Sequence, residues 1–259
     1  MRALVLAAGL GERLRPLTNS VPKPLVEVGG RPLIHYPLMM LRSAGFTEIA
    51  INTHHLAEQM ESALGDGRAL GISIHWLREV TLSGSGGPLN ALRDFLGADR
   101  FAIVNADSIL DLDMTAMTNF HSARAAAATI ALAQPDNMDY YSRIEIDGDA
   151  RVRRMRLLYS VSAGTHEDFP GDLAEGVAAV LESWMYCGVI IAEPQVLREI
   201  PSRPRWELFG GLWAPMVARG DPVFGWRHQR YFGTVNDLPG LDRLRAEFAS
   251  NPPALAYLK

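Results

Sequence analysis

Cysteine is almost absent from this sequence, since Cys187 is the only one in 259 residues. A single cysteine excludes an intramolecular disulfide framework and is typical of a protein from a reducing compartment. The chain also lacks an apolar run of membrane-spanning length, and Met1 leads into a short strand-like stretch without the apolar core of a signal peptide. We therefore expect a cytoplasmic protein that does not insert into a membrane.

A strong excess of either charge is also missing, because the formal net charge is −4. Bulk electrostatics therefore gives no indication of a nucleic-acid or acidic-membrane partner. The sequence contains no internal repeat, no low-complexity tract and no linker. Its length is enough to bury a substantial core. We predict one domain over residues 1–259, with an elaborated second half.

Strand and helix patterns alternate along the first half of the chain. Runs with the length of buried strands occur at 3–8, 48–52 and 101–105, a strand-like alternation occurs at 71–77, and helical spacing occurs at 32–44, 56–64 and 88–95. Repeated βα units predict an α/β fold with a Rossmann-like, doubly wound, mostly parallel sheet and helices on both faces. Ligands of such sheets bind beyond the carboxyl ends of the strands.

The pattern changes after about residue 125, where turn signals become more frequent. We predict strands at 127–131, 142–146, 151–158, 185–191 and 223–226, and helices at 208–217 and 239–248. Residues 159–178 have the composition of a loop. Cys187 falls inside a predicted strand, which favours a small core residue over a nucleophile.

A glycine-rich loop follows the first predicted strand. Gly9 and Gly11 let the backbone approach an anion and aim N–H groups at it. Arg13 then offers a planar fork of donors, and Lys23 adds a point charge. These residues predict a polyphosphate site.

Two common phosphate loops do not match this string. The dinucleotide fingerprint needs a third glycine where this chain has Leu14, which argues against a nicotinamide-dependent oxidoreductase. A Walker loop needs Gly-Lys-Ser or Gly-Lys-Thr, and the sequence contains neither.

The string LAAGLGERLRPLTNSVPKPL at 6–25 resembles the signature of the sugar-1-phosphate nucleotidylyltransferases. It matches the pattern L-A-A-G-x-G-[ST]-R-[LM]-x-P-L-T-x-x-x-P-K-P-[LM], except that Glu12 replaces Ser or Thr. The resemblance is nearest to the short bacterial mannose-1-phosphate guanylyl- and N-acetylmuramate-1-phosphate uridylyltransferases. It implies that a sugar 1-phosphate attacks a nucleoside triphosphate and that pyrophosphate leaves. Residues 1–125 would then bind nucleotide and 126–259 the acceptor.

The resemblance implies roles for individual residues. Arg13 would hold the leaving phosphates, and Lys23 would lie near the α-phosphate. Asp107, in VNADSILDLD at 104–113, would bind Mg²⁺. The string LSGSGGPLNAL at 82–92 is similar to the family's base-recognition loop. The implied nucleotide-binding residues are Leu6, Ala7, Ala8, Gly9, Gly11, Ser85, Gly86, Gly87 and Asn105.

The second half departs from the family pattern at three positions. The family's W-x-D-[VI]-G-T-P aligns with RYFGTVNDL at 230–238, which places Tyr231 where a second metal-binding Asp is usual. Leu158 stands at the position of the acceptor lysine, and Tyr186 begins the triplet that replaces the sugar-reading N-A-G.

Two interpretations follow from these departures. In the first, the chain is an active transferase whose acceptor is not a plain hexose 1-phosphate. Mg²⁺ is then held by Asp107 and the triphosphate, and the acceptor is bound by Tyr186, Gly188 and Arg154. In the second, the chain is a catalytically lapsed regulatory or partner subunit that still binds a nucleotide or nucleotide sugar. The intact Arg13 and Lys23 favour the first.

Overall fold

The computed structural model describes residues 1–134, 141–160, 165–170 and 181–258. The chain forms two compact units, and each is assembled from separate stretches of sequence. The first unit comprises Met1–Leu82, Phe101–Thr115 and Arg230–Lys259, and the second comprises Ser83–Arg100 and Ala116–Gln229.

The elements of both units follow one another in this chain order. The strands are β1 Arg2–Leu6, β2 Glu27–Val28, β3 Arg31–Pro32, β4 Glu48–Thr53, β5 Ser73–Arg78, β6 Phe101–Asn105, β7 Ser108–Leu110, β8 Ala128–Ala133, β9 Arg143–Ile146, β10 Val152–Ser160, β11 Thr165–Pro170, β12 Glu182–Ala192, β13 Val223–Arg227 and β14 Phe232–Thr234. The α-helices are α1 His35–Ser43, α2 Ala57–Leu64, α3 Pro88–Ala91, α4 Arg93–Leu96, α5 Met114–Ala123, α6 Ala214–Ala218 and α7 Leu238–Ser250. None of the helices in the described ranges is long and apolar enough to cross a membrane.

The first unit contains four parallel strands in the order β6, β1, β4, β5. The central residues of β6, β1 and β4 are apolar and buried, as their apolar runs predict, whereas the residues of β5 are intermediate or exposed. In the register of these strands, Leu6 lies opposite Asn52 on one side and Asn105 on the other. The strands therefore end level with one another, and the segments that follow β1, β4 and β6 leave from the same edge.

The first unit also contains two antiparallel strand pairs, β2 with β3 and β7 with β14. β7 and β14 are antiparallel, with Ser108 opposite Thr234. Leu241 and Leu244 of α7 share an apolar cluster with Leu14 and Val26 from the first thirty residues. This cluster attaches the last segment of the first unit to the segment that contains the glycine-rich loop.

The second unit contains a mixed sheet. β8 is parallel to β13 and antiparallel to β12, while β9 is antiparallel to both β12 and β10. The predicted α/β fold class is confirmed, with the parallel strands concentrated in the first unit. The prediction of one domain with halves 1–125 and 126–259 stays a prediction.

The prediction of a loop over 159–178 was wrong in part. β10 continues to Ser160, and Thr165–Pro170 forms β11, which pairs antiparallel with β10. Among the described strands, β11 is the last in the strand order, and it pairs with β10. Its sequence has no apolar alternation, and the strand is formed by backbone hydrogen bonds to β10. Residues 161–164 and 171–178 lie outside the described residues.

Two helical segments also differ from the prediction. The expected helix at 88–95 is interrupted at Leu92, whose φ of −103° and ψ of 12° end α3 before α4 begins. The expected helix at 208–217 starts as a π-helix over Phe209–Trp213 before α6. Helix α5 was missed, because its buried face includes a polar residue, His121, beside Met114 and Met117.

Candidate functional site

The glycine-rich loop begins immediately after β1 and is fixed by the neighbouring strands. The amide of Ala7 donates to Oδ1 of Asn52 at 2.9 Å. The Nδ2 atom of Asn52 in turn donates to Oε1 of Glu79 at 2.6 Å. Sequence reasoning missed both Asn52 and Glu79, although a polar residue at the end of the buried strand β4 was a usable signal. These contacts set the direction in which the loop leaves Leu6.

Different features of the structure explain the presence of glycine at positions 9 and 11 of the loop. Gly11 has a φ of +64°, and a Cβ atom there would lie 2.9 Å from Thr18 Cγ2 and 3.2 Å from Lys23 Cβ. The Thr18 hydroxyl also donates to the Gly11 carbonyl at 2.8 Å. A Cβ atom at Gly9, by contrast, would meet no atom within 4 Å. The protein's own packing therefore requires glycine at 11, whereas Gly9 faces open space.

Arg13 lies in the short 3₁₀ helix Glu12–Leu14 that follows the loop. Leu14 is 1% exposed and belongs to the apolar cluster of the first unit, while Arg13 is exposed. Across the part of the chain that is described, the guanidinium of Arg13 has no hydrogen-bond or ion-pair partner. Leu14 thus anchors the short helix in the apolar cluster. The neighbouring Arg13, two residues after Gly11, leaves its guanidinium without a partner among the described residues.

Lys23 and Asp107 form an ion pair within the first unit. Their side chains are 14% and 27% exposed. Asp107 follows β6, and the amide of the preceding Ala106 donates to the Leu6 carbonyl at 3.1 Å. The structure therefore brings together two of the three charged residues that the sequence assigned to catalysis, Lys23 and Asp107, beside the glycine-rich loop that ends at Gly11.

Asp107 is a single carboxylate rather than part of an acidic cluster. In the described ranges, no group of three or more His, Cys, Asp or Glu residues is arranged to hold a metal ion. Two other aspartates of the first unit have backbone partners, since Asp111 accepts from the amide of Ala256 at 2.9 Å and Asp237 from that of Gly240 at 2.7 Å.

Tyr231 occupies a structural position in the first unit. Its hydroxyl donates to Oε2 of Glu247 at 3.2 Å, and its ring packs edge-on against Phe248 with centroids 6.2 Å apart. Burial and then the charge of Glu247 raise the pKa of Tyr231, so the phenol is protonated at neutral pH. A neutral phenol is a poor magnesium ligand, and these contacts occupy the side chain.

Residues 83–92 of the predicted base-recognition loop lie in the second unit and contact residues far along the chain. Glu207 accepts from the Ser85 amide at 3.2 Å and from its hydroxyl at 2.7 Å. The amide of Gly86 donates to the Trp206 carbonyl at 3.0 Å. A Cβ atom at Gly87 would lie 2.1 Å from Ser83 Oγ. Sequence reasoning missed Trp206 and Glu207, because nothing local in the sequence marks a pairing over this separation.

The three predicted acceptor residues are also in the second unit. Tyr186 of β12 packs on Phe209 with ring centroids 4.9 Å apart. Gly188, two residues further, has a φ of 102° in the irregular part of the β12–β8 pairing. Arg154 of β10 donates to the buried carboxylate of Glu145.

Cys187 lies between Tyr186 and Gly188 and is 1% exposed. Burial raises the pKa of its thiol. The prediction that Cys187 is a core residue rather than a nucleophile is therefore confirmed.

The nucleotidyl transferase family matches residues 2–156, which is more than half of the chain. The chain belongs to the nucleotidyl transferase family. The resemblance predicted from the glycine-rich loop and its two basic residues is thereby confirmed.

The names of relatives of this chain include sugar 1-phosphates. The chain is 30% identical to a UTP–glucose-1-phosphate uridylyltransferase from Synechocystis, over 86% of this chain and 57% of that protein. It is 50% identical to an N-acetylmuramate α-1-phosphate uridylyltransferase from Neisseria meningitidis, over 45% of this chain and 51% of that protein. The chain thus spans about half the length of the curated relatives it matches.

Two solved structures share the fold of this chain. A putative glucose-1-phosphate thymidylyltransferase from Bacillus anthracis superimposes with a TM-score of 0.79 at 18% identity, covering 100% of this chain and 99% of that one. HddC from Yersinia pseudotuberculosis, complexed with GMP-PN, superimposes with a TM-score of 0.68 at 18% identity, covering 95% and 99%. At these identities the likeness supports the α/β fold.

Proposed function

We propose that this chain transfers a nucleotidyl group from a nucleoside triphosphate to a sugar-1-phosphate-like acceptor and releases pyrophosphate. The observation that carries the proposal is the Lys23–Asp107 pair, which lies beside the glycine-rich loop where β1 and β6 end level. Membership of the family and the names of the relatives support the reaction class. They also disfavour the interpretation of a lapsed regulatory subunit.

The charged residues of the first unit would act by positioning and by neutralising charge. Arg13 would hold the leaving phosphates, because its guanidinium has no competing partner in the described ranges. Lys23 would contact the α-phosphate. The open space at Gly9 lets phosphate oxygens approach the backbone amides of Ala8, Gly9 and Gly11. The same proposal retains the other nucleotide-binding positions Leu6, Ala7, Ser85, Gly86, Gly87 and Asn105.

Asp107 fits Mg²⁺ through one carboxylate oxygen. Lys23 engages Oδ2, while Oδ1 accepts no hydrogen bond from the described residues. Mg²⁺ is commonly held by one or two carboxylates together with substrate phosphates and water. When bound, the ion would neutralise charge on the phosphates, and Asp107 would hold it.

The acceptor side of the proposal includes Tyr186, Gly188 and Arg154. Tyr186 offers a ring that already packs at a tilt against Phe209, and Arg154 would share its guanidinium between Glu145 and an acceptor phosphate. An aromatic ring in place of an amide favours an acceptor other than a plain hexose 1-phosphate.

The proposal keeps residues 1–259 as one catalytic domain in the cytoplasm, in keeping with a single buried cysteine.

The test is a pyrophosphate-release screen of four nucleoside triphosphates against a panel of sugar 1-phosphates with Mg²⁺. We expect turnover with at least one pair. Glucose or mannose 1-phosphate turning over with kcat/KM of about 10⁴ M⁻¹s⁻¹ or more would contradict the acceptor part of the proposal. Tight nucleotide binding without turnover for any pair would instead favour the lapsed subunit.

A matched pair of arginine variants adds a control to this screen. Arg13→Ala removes the unpaired cation, and we expect kcat/KM for the triphosphate to fall at least about tenfold. Arg15→Ala removes an exposed cation whose nearest carboxylate, Glu12, is 3.5 Å away, and we expect no change. Equal effects of the two substitutions would contradict the role of Arg13.

A further inference from the structure

We propose that Glu207 is a positioning residue that holds the loop 82–87 through Ser85 and thereby sets which base the chain accepts. This inference rests on the proposed function, in which that loop reads the base of the nucleotide. Trp206, Glu207 and Leu208 form a segment that we call the clamp. The clamp and residues 83–87 of the loop belong to the second unit.

The side chain of Ser85 is fully engaged by the clamp. Its hydroxyl donates to Glu207 Oε2 at 2.7 Å and accepts from the Leu208 amide at 2.9 Å. The Ser85 amide donates to the same carboxylate oxygen at 3.2 Å. One carboxylate therefore fixes both the backbone and the rotamer of Ser85, and these charge-assisted bonds are stronger than neutral ones.

Backbone hydrogen bonds hold the loop on both sides of Ser85. The Trp206 amide donates to the Ser83 carbonyl at 3.0 Å, and the Gly86 amide donates to the Trp206 carbonyl at 3.0 Å. The amides of Ser85 and Gly86 are thus committed to the clamp. A base would meet a loop whose shape the clamp has already fixed.

Two glycines of the loop are required by the clamp. Gly84 has a φ of +78°, and a Cβ atom there would lie 2.4 Å from the Trp206 carbonyl oxygen. A Cβ atom at Gly86 would lie 2.2 Å from Cε3 of Trp206, whose side chain is 2% exposed. Close packing against Trp206 therefore explains glycine at 84 and 86, independently of any ligand.

Glu207 differs from Trp206 because the hydrogen bonds of its carboxylate are confined to the loop. Trp206 is a core residue, whereas Glu207 is exposed and its side-chain hydrogen bonds go to Ser85, while its backbone carbonyl accepts from the Gly211 amide at 2.7 Å. Removal of the carboxylate would release the amide and hydroxyl of Ser85 to other acceptors. We expect the loop to lose its single shape and to discriminate less between bases.

The test compares Glu207→Ala, Ser85→Ala and the double variant with Glu199→Ala as control. Glu199 is an exposed glutamate of the same unit, paired with Arg219 at 3.2 Å. The measurement is kcat/KM for each of four nucleoside triphosphates at saturating sugar 1-phosphate. We expect the preference for the best base over the next to shrink at least about fivefold in both single variants. The base preference of the double variant should equal, within about twofold, that of the single variant with the lower preference, because both substitutions act through one contact.

Further readouts separate positioning from a general structural role. The KM for the sugar 1-phosphate should change less than about twofold, and Glu207→Gln, which keeps an acceptor oxygen, should recover at least half of the lost base preference. Glu199→Ala should leave the preference unchanged. An equal loss of activity with every base, or a lowered Tm with an unchanged preference, would overturn the proposal.

The design separates this inference from the proposed function. If wild type turns over no pair of substrates, the proposed function fails, and the base preference is then measured as the Kd of each triphosphate by calorimetry. If the triphosphates differ in Kd in wild type and this difference is lost in Glu207→Ala, the positioning role is still supported. Equal Kd values for all four triphosphates in wild type, or no binding at all, would overturn it.

Discussion

Lys23 and Asp107 form an ion pair although 84 positions separate them in the sequence. The pair links the segment after β1 to the residue that follows β6, and both side chains are largely withdrawn from solvent. Lys23 and Lys259 are the two lysines of the chain, whose other side chains with a fixed positive charge are arginines. A compact ammonium at this position contacts one oxygen at a time, unlike the planar fork of an arginine.

Lys23→Ala tests the predicted contact with the triphosphate. A charge-assisted contact contributes about 1.5–3 kcal/mol, so kcat/KM for the triphosphate should fall at least about tenfold. Steady-state kinetics with the best substrate pair measures the change. Lys23→Arg keeps the charge and should retain more activity than Lys23→Ala. Unchanged triphosphate affinity and turnover in Lys23→Ala would refute the assignment.

Gly86→Ala and Gly9→Ala form a pair with opposite expected effects. A methyl group at Gly86 overlaps Trp206, so the free energy of unfolding should fall by about 1–3 kcal/mol. A methyl group at Gly9 meets open space, so stability should stay within about 0.5 kcal/mol of wild type while the KM for the triphosphate rises. Urea denaturation and kinetics measure the two effects. A stable Gly86→Ala variant, or a Gly9→Ala variant with wild-type KM, would contradict this interpretation.

Tyr231→Asp tests whether the family's second metal carboxylate can be restored at the aligned position. The ring of Tyr231 packs on Phe248, and a carboxylate there would lie near Glu247. We expect the free energy of unfolding to fall by about 2 kcal/mol without a gain in Mg²⁺ affinity. Urea denaturation and Mg²⁺ titration measure this, with Tyr231→Phe as the control that keeps the ring. Tighter Mg²⁺ binding in Tyr231→Asp would contradict this expectation and show that a carboxylate at 231 reaches the ion.

His121 gives the stability of the second unit a defined pH dependence. It is 0% exposed, with Nε2 at 3.1 Å from Glu193 and Nδ1 at 2.8 Å from the Thr129 hydroxyl. Burial and then the charge of Arg100 lower the pKa of His121 from 6.5, against the opposing effect of Glu193. The unfolded chain therefore takes up a proton that the folded chain excludes. The contribution is present above the unfolded pKa and is lost as the pH falls below it.

The measurement is urea denaturation at about pH 7.5 and about pH 5.5 for wild type and His121→Gln. Wild type should be less stable at the lower pH, and the difference should be smaller in the variant. Burial also lowers the pKa of His35, so the comparison between wild type and variant isolates His121. An identical pH dependence in both proteins would count against the role of His121.

Local signals in the sequence predicted much of the first unit. The run of apolar residues at 101–105 gives β6 with the same bounds, and the spacing of glycines and cations located Gly9, Arg13 and Lys23. Asp107 was assigned from its place after that strand and from the family resemblance. Each of these signals spans only a few residues along the chain.

Contacts over long separations were not predicted. Glu207 lies 122 positions from Ser85 and is an ordinary exposed glutamate in the sequence. The resemblance assigned Ser85 and Gly86 to the nucleotide, whereas in the structure their amides donate to Glu207 and Trp206. Periodicity also missed α5, because His121 interrupts the apolar stripe of its buried face.

The order in which a ribosome makes this chain has a consequence for the first unit. Arg230–Lys259 belongs to that unit and is synthesised after the whole of the second. Val235 donates to the Asp107 carbonyl at 3.4 Å, and Leu241 joins the cluster that holds Leu14. Asp107 and Leu14 therefore lack these partners until the last segment of the chain has been synthesised. The nascent chain can complete its second unit first and finish the Lys23–Asp107 region last.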